Sequence, residues 1–258
     1  MSTTGTPPKP KKSALGQAGS FARELLLVVV GAIIVSSLLR MFVGQMFIIP
    51  SQSMENTLLV GDRVVVQKIT DFDRGDVVVF ADPGGWLAGE PVEERGPVGK
   101  AFEFIGVLPD TSTGHLIKRV VGLPGDRVKC CDSKNRITVN GHPLDERAYL
   151  YTDPDGQQVR PSDIEFEVVV PAGHLFVMGD HRDLSADSRC HLSDLSTTQK
   201  KGDVAFIPLD LVVGPAFAVA APFNRATRLH RPETFSAVPA PTKLAPAEAV
   251  IKPEGVTC

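Results

Sequence analysis

The chain has 258 residues, of which 43% are hydrophobic and 22% are charged, and its formal net charge is −3. This length allows one large domain or two small ones, and the composition is sufficient for a packed core. A weakly acidic chain gives no indication of a nucleic-acid partner, which a strongly basic one would favour. The charge is unevenly distributed, because residues 1–23 carry Lys9, Lys11, Lys12 and Arg23 and no acidic residue.

An apolar stretch follows this basic flank. Residues 25–43 read LLLVVVGAIIVSSLLRMFV, with Arg40 near the far end. At about 1.5 Å per residue the stretch is about 28 Å long, close to the thickness of a bilayer core. A cleavable signal peptide is the alternative, but no Ala-x-Ala-like site follows. We therefore predict a disordered cytoplasmic tail over 1–22 and a single-pass transmembrane signal anchor over 23–44 in the cell membrane, with the remaining chain extracytoplasmic.

From residue 45 the pattern changes to short β-branched runs bounded by turns, which predicts a mainly β, antiparallel domain over 45–224. Within it, residues 82–114 predict a loop insertion, with a short helix as a candidate at its apolar end, and 127–173 predict a smaller β subdomain. Residues 225–258 are rich in Pro and Ala without periodicity, which predicts a disordered tail. The predicted strands are 62–68, 76–80, 115–121, 127–131, 136–140, 164–170, 175–178 and 203–207, with 211–217 as a further candidate.

The chain has four cysteines, Cys130, Cys131, Cys190 and Cys258. An extracytoplasmic domain can pair them, and one candidate disulfide joins Cys130 or Cys131 to Cys190, since adjacent cysteines rarely pair without strain. Free thiols are the alternative, and the sequence leaves both open. The six histidines show no metal-binding spacing, so we predict neither a metal nor another cofactor.

Two stretches contain residues suited to nucleophilic catalysis. The first is IIPSQSMENTL at 48–58, which places Ser51 and Ser53 in a turn. The second is IKRVVGLPGD at 117–126, where Lys118 lies in a predicted strand. A buried lysine has a lowered pKa, and its neutral amine can take a proton from a serine hydroxyl. Each residue alone also fits an ordinary surface position, because most loop serines and strand lysines are not catalytic.

A third stretch, MGDHRDLSADSR at 178–189, combines three acidic residues, two arginines and two serines. It follows an apolar run at 175–178 that predicts a core strand. A dense, mixed-charge loop beside a core strand is typical of residues that orient a catalytic site.

These three stretches, together with RGDVVVF at 74–80, resemble the ordered motifs of bacterial type I signal peptidases. The loop after Asp82 and the Cys-Cys pair resemble actinobacterial members. The resemblance implies a signal-peptidase-like antiparallel β-sheet catalytic domain behind one N-terminal transmembrane helix. It also implies a membrane-bound serine endopeptidase that removes N-terminal signal peptides after Ala-x-Ala-like sites with a Ser–Lys dyad. Its partners would be secretory preproteins and the lipid bilayer, without a nucleic acid.

The resemblance implies a role for each matching residue. Ser53 corresponds to the nucleophile and Lys118 to the general base, and Ser51 corresponds to a hydroxyl that forms the oxyanion hole with the backbone N–H of Ser53. Ser185 corresponds to a serine that hydrogen-bonds and orients the lysine. The residues that correspond to the ion-pairing scaffold are Asp180, Arg119, Asp187 and Arg189. The residues that would line pockets for the substrate's alanines, or simply pack in the core, are Phe47, Ile49, Pro50, Met54, Leu58 and Ile117.

The chain departs from the family pattern at a few positions. Asn56 stands where many relatives have a proline before threonine. His181 and Leu184 replace asparagines that are common in the last motif, and Pro215 stands where a basic residue often follows Val-Gly. These changes affect the fine geometry of the site and leave the residues assigned to proton transfer in place.

Three other functions are less consistent with the sequence. A repressor-type Ser–Lys autoprotease would carry a DNA-binding head in place of a membrane anchor. A penicillin-binding-type acyltransferase requires Ser-x-x-Lys, whereas the chain reads Ser-Met-Glu-Asn from Ser53. A membrane-tethered binding or chaperone module without activity would not need Ser53, Lys118 and Ser185 together. The sequence alone does not establish that these three residues meet in space.

Overall fold

The computed structural model describes residues 14–42, 44–87, 96–97, 99, 114–195 and 201–253. Helix α1 spans Ala14–Phe42, and its side chains are described for residues 21–36. Most of the predicted insertion, including its candidate helix, lies outside the described residues, as do residues 1–13, the side chain of Arg40 and residues 254–258.

The apolar helix begins earlier than predicted, at Ala14, so residues 14–22 are helical and the prediction of disorder is wrong there. Those residues contain alanine, leucine and glutamine and no proline, a composition that favours a helix. Large apolar side chains at 25–30 and 33–35 are exposed along α1. Among the described residues, none of the helices combines the length and the apolar character needed to cross a membrane.

The remaining described structure consists of short strands and 3-10 helices. The strands are β1 (Gly44–Ile48), β2 (Arg63–Gln67), β3 (Val77–Ala81), β4 (His115–Gly122), β5 (Arg127–Cys130), β6 (Thr138–Val139), β7 (His142–Pro143), β8 (Phe166–Val169), β9 (His174–Met178), β10 (Ile207–Pro208), β11 (Val212–Ala221), β12 (Thr227–Arg228) and β13 (Val250–Lys252). The 3-10 helices are Arg182–Leu184, Asp203–Ala205, Leu209–Leu211, Phe223–Arg225 and Glu233–Ala237.

The strands form two antiparallel sheets, which confirms the predicted mainly β fold. In the large sheet the order is β1-β2-β11-β3-β4-β9-β10, with β12 paired to β11. In the small sheet the order is β13-β8-β5-β6-β7, and four of these strands come from the predicted subdomain at 127–173. The alternation of buried and exposed residues in β2 and β5 explains why they form strands with one face on the core. Strand β4 leads directly into β5 and so connects the two sheets.

Buried apolar side chains of the described residues form three core clusters. The first combines residues of both sheets and contains Phe166, Phe176 and Phe206, which are almost fully buried. A second cluster lies under β1, β2 and the turn between them and contains Met54 and Leu58. The catalytic candidates on 48–58 therefore rest on a packed apolar base.

Most predicted strands are present, but 203–207 is only partly correct. Residues Asp203–Ala205 form a 3-10 helix, and β10 is confined to Ile207–Pro208. Gly202 has a φ of +82°, which starts a turn, and Pro208 cannot donate a hydrogen bond to a continuing ladder.

Pro215 lies in β11 immediately after a register shift between Val212 and Gly214. Gly214 has a φ of +152°. A proline in a central strand requires an interruption of the ladder, because it lacks an N–H group. The irregularity in β11 therefore accounts for the presence of Pro215.

The prediction of a disordered tail is wrong for residues 225–253. Strand β12 pairs with β11 in the large sheet, and β13 pairs with β8 in the small one. Between them Phe235 is buried in the first core cluster, which combines residues of both sheets. A few long-range contacts order this segment, and such contacts leave no periodicity in the sequence.

The candidate disulfide between Cys190 and Cys130 or Cys131 is also wrong, because Cys130 and Cys131 are bonded to each other. Cys130 ends β5 in the small sheet. Cys190 lies in the loop after β9 and is disulfide-bonded as well. The two cysteines at the end of β5 therefore pair locally.

Candidate active site

The turn between β1 and β2 carries Ser53. Its base is closed by hydrogen bonds from Ile49 N to Asp62 O and from Gly61 N to Ile49 O, both at 2.9 Å. Within the turn, Leu58 N donates to Met54 O at 2.8 Å. Ser53 is only 5% exposed. The chain therefore presents this serine from a turn that is hydrogen-bonded at its base and packed underneath.

Asn56 in the same turn explains one departure from the family pattern. Its φ is +81°, a left-handed conformation that asparagine tolerates and proline cannot adopt. Its side chain donates to Leu150 O at 3.2 Å. Asn56 therefore adopts a backbone conformation that a proline could not adopt, and its side chain contacts the loop at Leu150.

Lys118 reaches the serine from β4. This strand lies between β3 and β9, so Lys118 projects from the middle of the large sheet and is 4% exposed. Its Nζ is 2.5 Å from Ser53 Oγ. The structure thus brings together the two residues that the sequence predicts as nucleophile and base, although they are 65 positions apart.

Burial lowers the pKa of Lys118 to about 8. The negative charges of Asp187 and Asp180 act in the opposite direction, and the positive charge of Arg189 adds to the lowering. About one lysine in ten is neutral at pH 7 when its pKa is 8. A neutral amine has a lone pair that can accept the proton of the Ser53 hydroxyl.

Ser51 lies beside the nucleophile, with its Oγ 3.3 Å from Ser53 Oγ. It is exposed, whereas Ser53 is buried. A hydroxyl on the open side of the nucleophile is placed to approach a substrate carbonyl at the serine. The predicted second hydroxyl is therefore present at the site.

Ser185 does not make the predicted hydrogen bond to the lysine. Its Oγ donates to Asp187 Oδ2 at 2.8 Å, and no hydrogen bond between Ser185 and Lys118 is present among the described residues. The hydroxyl has a single hydrogen to donate, and the neighbouring carboxylate accepts it in a charge-assisted hydrogen bond. Ser185 therefore contacts Asp187, and Asp187 acts on Lys118 through its charge.

Arg119 and Asp180 form a buried ion pair next to the dyad. Arg119 Nε is 2.8 Å from Asp180 Oδ1, and its Nη2 is 2.5 Å from Oδ2. Burial acts to lower the pKa of Arg119, but the charge and hydrogen bonds of Asp180 raise it. Thr57 Oγ1 donates to Asp180 Oδ2 at 2.5 Å, which connects this pair to the turn that carries Ser53.

Asp187 and Arg189, the other two residues of the predicted scaffold, form a second buried ion pair. Arg189 Nε is 2.9 Å from Oδ1, and its Nη2 is 2.8 Å from Oδ2. Burial acts to raise the pKa of Asp187, but the charge and hydrogen bonds of Arg189, with donors from Gly179 and Ser185, lower it below the ordinary value. Asp187 is therefore a carboxylate at neutral pH, and its charge is balanced by its own arginine.

Several residues of the site were missed by the sequence reasoning. Arg182 donates to Glu146 Oε1 at 2.6 Å, and Tyr149 donates to the same oxygen at 2.6 Å. The Tyr149 ring also lies over the guanidinium of Arg119, at 4.4 Å from its centroid. Arg182 belongs to the charge-dense loop, so its chemistry was visible in the sequence. The sequence motifs did not identify Glu146 and Tyr149, because both lie in the loop after β7, outside the motif stretches.

Gly179 was not assigned a role either. A Cβ at this position would lie 2.5 Å from Ser53 O and would also clash with Ser185 Oγ. Only a residue without a side chain allows the loop after β9 to approach the nucleophile so closely. Its place in the Gly-Asp motif was the signal that could have identified it.

Five of the six predicted pocket residues are buried in one apolar cluster. Pro50 is exposed, and it immediately precedes the two serines. The five that form the base of the turn are Phe47, Ile49, Met54, Leu58 and Ile117. No group of three or more His, Cys, Asp or Glu residues in the described part of the chain is arranged to hold a metal ion.

Comparison with known proteins agrees with this geometry. A family model described as signal peptidase, peptidase S26, matches residues 22–221. A signal peptidase I from Mycobacterium tuberculosis is 35% identical over 226 residues, covering 80% of this chain and 74% of that protein. A probable signal peptidase I from Mycobacterium leprae is 35% identical over 78% of this chain and 77% of its own length. A signal peptidase I from Leptolyngbya laminosa is 30% identical over 90% of this chain and 96% of its own length.

A solved signal peptidase I from Enterococcus faecalis is 20% identical and covers 57% of this chain and 97% of that one. Its TM-score of 0.30 is too low to carry an argument. The family match and the sequence relatives confirm the predicted resemblance, and the mycobacterial relatives confirm the predicted likeness to actinobacterial members. The chain therefore belongs to the signal peptidase family of serine peptidases, peptidase S26.

Proposed function

We propose that this protein is a membrane-bound serine endopeptidase that removes N-terminal signal peptides from exported preproteins, cleaving after Ala-x-Ala-like sites. The observation that supports it most strongly is the 2.5 Å contact between Ser53 Oγ and the buried Nζ of Lys118. Family membership gives the reaction class, and the signal peptidase I relatives suggest the substrate class.

In the acylation step, neutral Lys118 takes the hydroxyl proton of Ser53. Ser53 Oγ then attacks the carbonyl carbon that precedes the scissile bond. The oxyanion that forms accepts hydrogen bonds from the Ser51 hydroxyl and the Ser53 backbone N–H. Each such donor is typically worth about 3 kcal/mol of barrier.

The tetrahedral intermediate collapses when protonated Lys118 donates its proton to the leaving amine. The C–N bond breaks, the mature protein leaves, and the signal peptide remains esterified to Ser53. Neutral Lys118 then takes a proton from a water molecule that attacks this ester. Cleavage of the ester returns the proton to Ser53 Oγ and releases the signal peptide with a new carboxylate.

The buried loop around the dyad has a positioning role in this proposal. Ser185 fixes Asp187, and the pairs Arg119–Asp180 and Arg189–Asp187 keep both carboxylates matched with a positive charge. Lys118 is therefore surrounded by nearly compensated charges, so its loss of hydration decides its pKa. This favours the neutral amine that the first step requires.

Substrate specificity is assigned to the apolar cluster under the turn. Its side chains are packed and almost fully buried, so they leave little room beside Ser53 for a large substrate group. Small residues before the scissile bond fit such a surface best. The residues proposed as its walls are Phe47, Ile49, Pro50, Met54, Leu58 and Ile117.

Attachment to the bilayer is assigned to residues 25–43. Their uncharged first fifteen residues and the exposed apolar side chains on α1 support it, since exposed apolar surface of this extent favours lipid contact. The basic residues before α1 support an N-terminus on the cytoplasmic side. A single pass would hold the catalytic domain at the membrane from which signal peptides emerge.

Cleavage of a secretory preprotein by the detergent-solubilised protein tests the proposal. The wild type is expected to cut after the Ala-x-Ala site, whereas Ser53→Ala and Lys118→Ala should not. Ser193→Ala, outside the dyad, is a matched control that should cut. Equal cleavage by all four proteins would place the catalyst elsewhere, and cleavage by none would favour a binding module.

A further inference from the structure

Three side chains that take no part in the proposed proton transfer meet at the Ser53 turn. His181 Nδ1 is 3.0 Å from Glu55 Oε2. The His181 ring stacks on Tyr151 with a centroid distance of 3.8 Å and an interplanar angle of 19°. We call Glu55, Tyr151 and His181 the histidine cluster.

His181 contacts the nucleophile directly through its backbone. Its N–H donates to the carbonyl oxygen of Ser53 at 3.0 Å. The same residue thus binds Ser53 with its main chain and the residue two positions later with its side chain. Both contacts act on the peptide units that determine where Ser53 Oγ points.

The histidine cluster joins three segments that are distant in sequence. Glu55 lies in the turn after β1, Tyr151 in the loop after β7 and His181 in the loop after β9. Tyr151 N donates to Asp180 O at 3.1 Å, so the last two segments are also joined through their backbones. The cluster is largely shielded from water, with His181 only 6% exposed. A hydrogen bond in such surroundings fixes geometry better than one on the surface.

The carboxylate of Glu55 is engaged on both oxygens. Gln52 Nε2 donates to Oε1 at 3.1 Å, while His181 faces Oε2. The residues before and after Ser53 are thereby connected to each other and to His181.

We propose that His181 is a positioning residue for the nucleophile. Through Glu55 and Tyr151 it keeps the Ser53 turn in the orientation that places Ser53 Oγ at Lys118 Nζ. The proposal rests on the proposed function in that Ser53 is taken as the nucleophile. It does not require a charged histidine, since an Nδ1–H donates to the Glu55 carboxylate in a neutral ring as well.

The test is a set of variants measured in preprotein cleavage: His181→Ala, Glu55→Ala, the double variant and His181→Asn. His174→Asn is the matched control, because the only side-chain hydrogen bond described for this histidine is to the carbonyl of Ala172. Each protein is characterised by kcat, by KM and by its thermal unfolding temperature.

Both single alanine variants are expected to lose about tenfold in kcat with KM nearly unchanged, because a displaced nucleophile slows chemistry more than binding. The double variant should be no worse than the poorer single one, since both changes break the same contact. His181→Asn, which keeps an amide donor, should recover most of the rate, and His174→Asn should match the wild type.

Losses that multiply in the double variant, or an unchanged kcat in both single variants, would overturn the proposal. A fall in rate explained by a smaller folded fraction would also overturn it. If His181→Ala does not fold, Glu55→Ala decides alone, since Glu55 lies on the partly exposed side of the turn. An inactive wild type would instead count against the proposed function itself.

Discussion

Four of the arginine–aspartate pairs among the described residues lie in two contrasting regions. Arg119–Asp180 and Arg189–Asp187 lie around the dyad, with all four side chains at most 4% exposed. Two outer pairs, Arg225–Asp62 and Arg231–Asp76, fasten the chain after β11, and their arginines are 34% and 39% exposed. All four have similar contact geometry, so their different surroundings decide what each pair does.

The inner pairs control charge, whereas the outer pairs attach a segment. Asp180 and Asp187 would hold Lys118 protonated if they were unpaired, because both raise its pKa. Their arginines compensate them, so burial prevails. The outer pairs are not among the charges that shift the pKa of Lys118. They contribute only to the attachment of the chain after β11. Breaking an inner pair should therefore change both stability and catalysis, and breaking an outer pair should change stability alone.

The largest expected effect comes from the centre of the inner region. Lys118→Arg keeps the positive charge but cannot become neutral, so cleavage should fall by about a thousandfold or more. Lys129→Arg is the matched control, because Lys129 lies exposed on the small sheet and should leave cleavage unchanged. Initial rates of preprotein cleavage measure both. Substantial activity in Lys118→Arg would contradict the lysine base.

A large effect on stability is expected for Arg189→Met. The change leaves the buried Asp187 carboxylate without its partner, which should cost about 3–5 kcal/mol in the free energy of unfolding. It also removes a positive charge that lowers the pKa of Lys118. The rise of kcat/KM with pH should therefore move to higher pH. Denaturant unfolding and a pH–rate profile measure the two effects. An unshifted profile would show that the inner pairs do not control the lysine.

Smaller effects are expected for the outer pairs. Arg231→Gln should cost about 0–1 kcal/mol in the free energy of unfolding, as for other exposed pairs. Arg225→Gln should cost more, because its partner Asp62 is buried. Neither should shift the pH profile of cleavage, and a shift would remove the distinction between the two regions.

The effect of Arg225→Gln should depend on pH. Burial acts to raise the pKa of Asp62, but hydrogen bonds from Arg225 and from the backbone of Leu59 lower it below 3.8. A carboxylate with a depressed pKa stabilises the fold at neutral pH and loses this contribution as the pH falls through its folded-state pKa. The stability difference between variant and wild type should therefore shrink below about pH 4. Unfolding curves at pH 7 and pH 3 measure it.

The two regions also differ in how well the sequence predicted them. Ser53, Lys118 and the charged residues of the inner pairs were predicted, because their residue types and the order of their motifs can be read from the sequence. The hydrogen-bond partner of Ser185 was not predicted. Whether its hydroxyl contacts the Lys118 amine or the Asp187 carboxylate depends on how the loop after β9 lies against Ser53, a close approach that Gly179 allows. The ordered segment at 225–253 was missed because a few anchors, such as Phe235 and Arg231, fix it. The Cys130–Cys131 pair likewise depends on local backbone geometry.

The central claim is that Lys118 is neutral often enough to act as the base, and direct titration of its amine tests this. Lysines labelled with ¹³C at Cε can be followed by NMR in the wild type, and the Lys118 signal is the one absent from Lys118→Met. The account predicts a titration midpoint at about pH 8, matching the pKa that burial produces. A midpoint near the ordinary 10.5 would contradict it, because the amine would then be protonated throughout the neutral range.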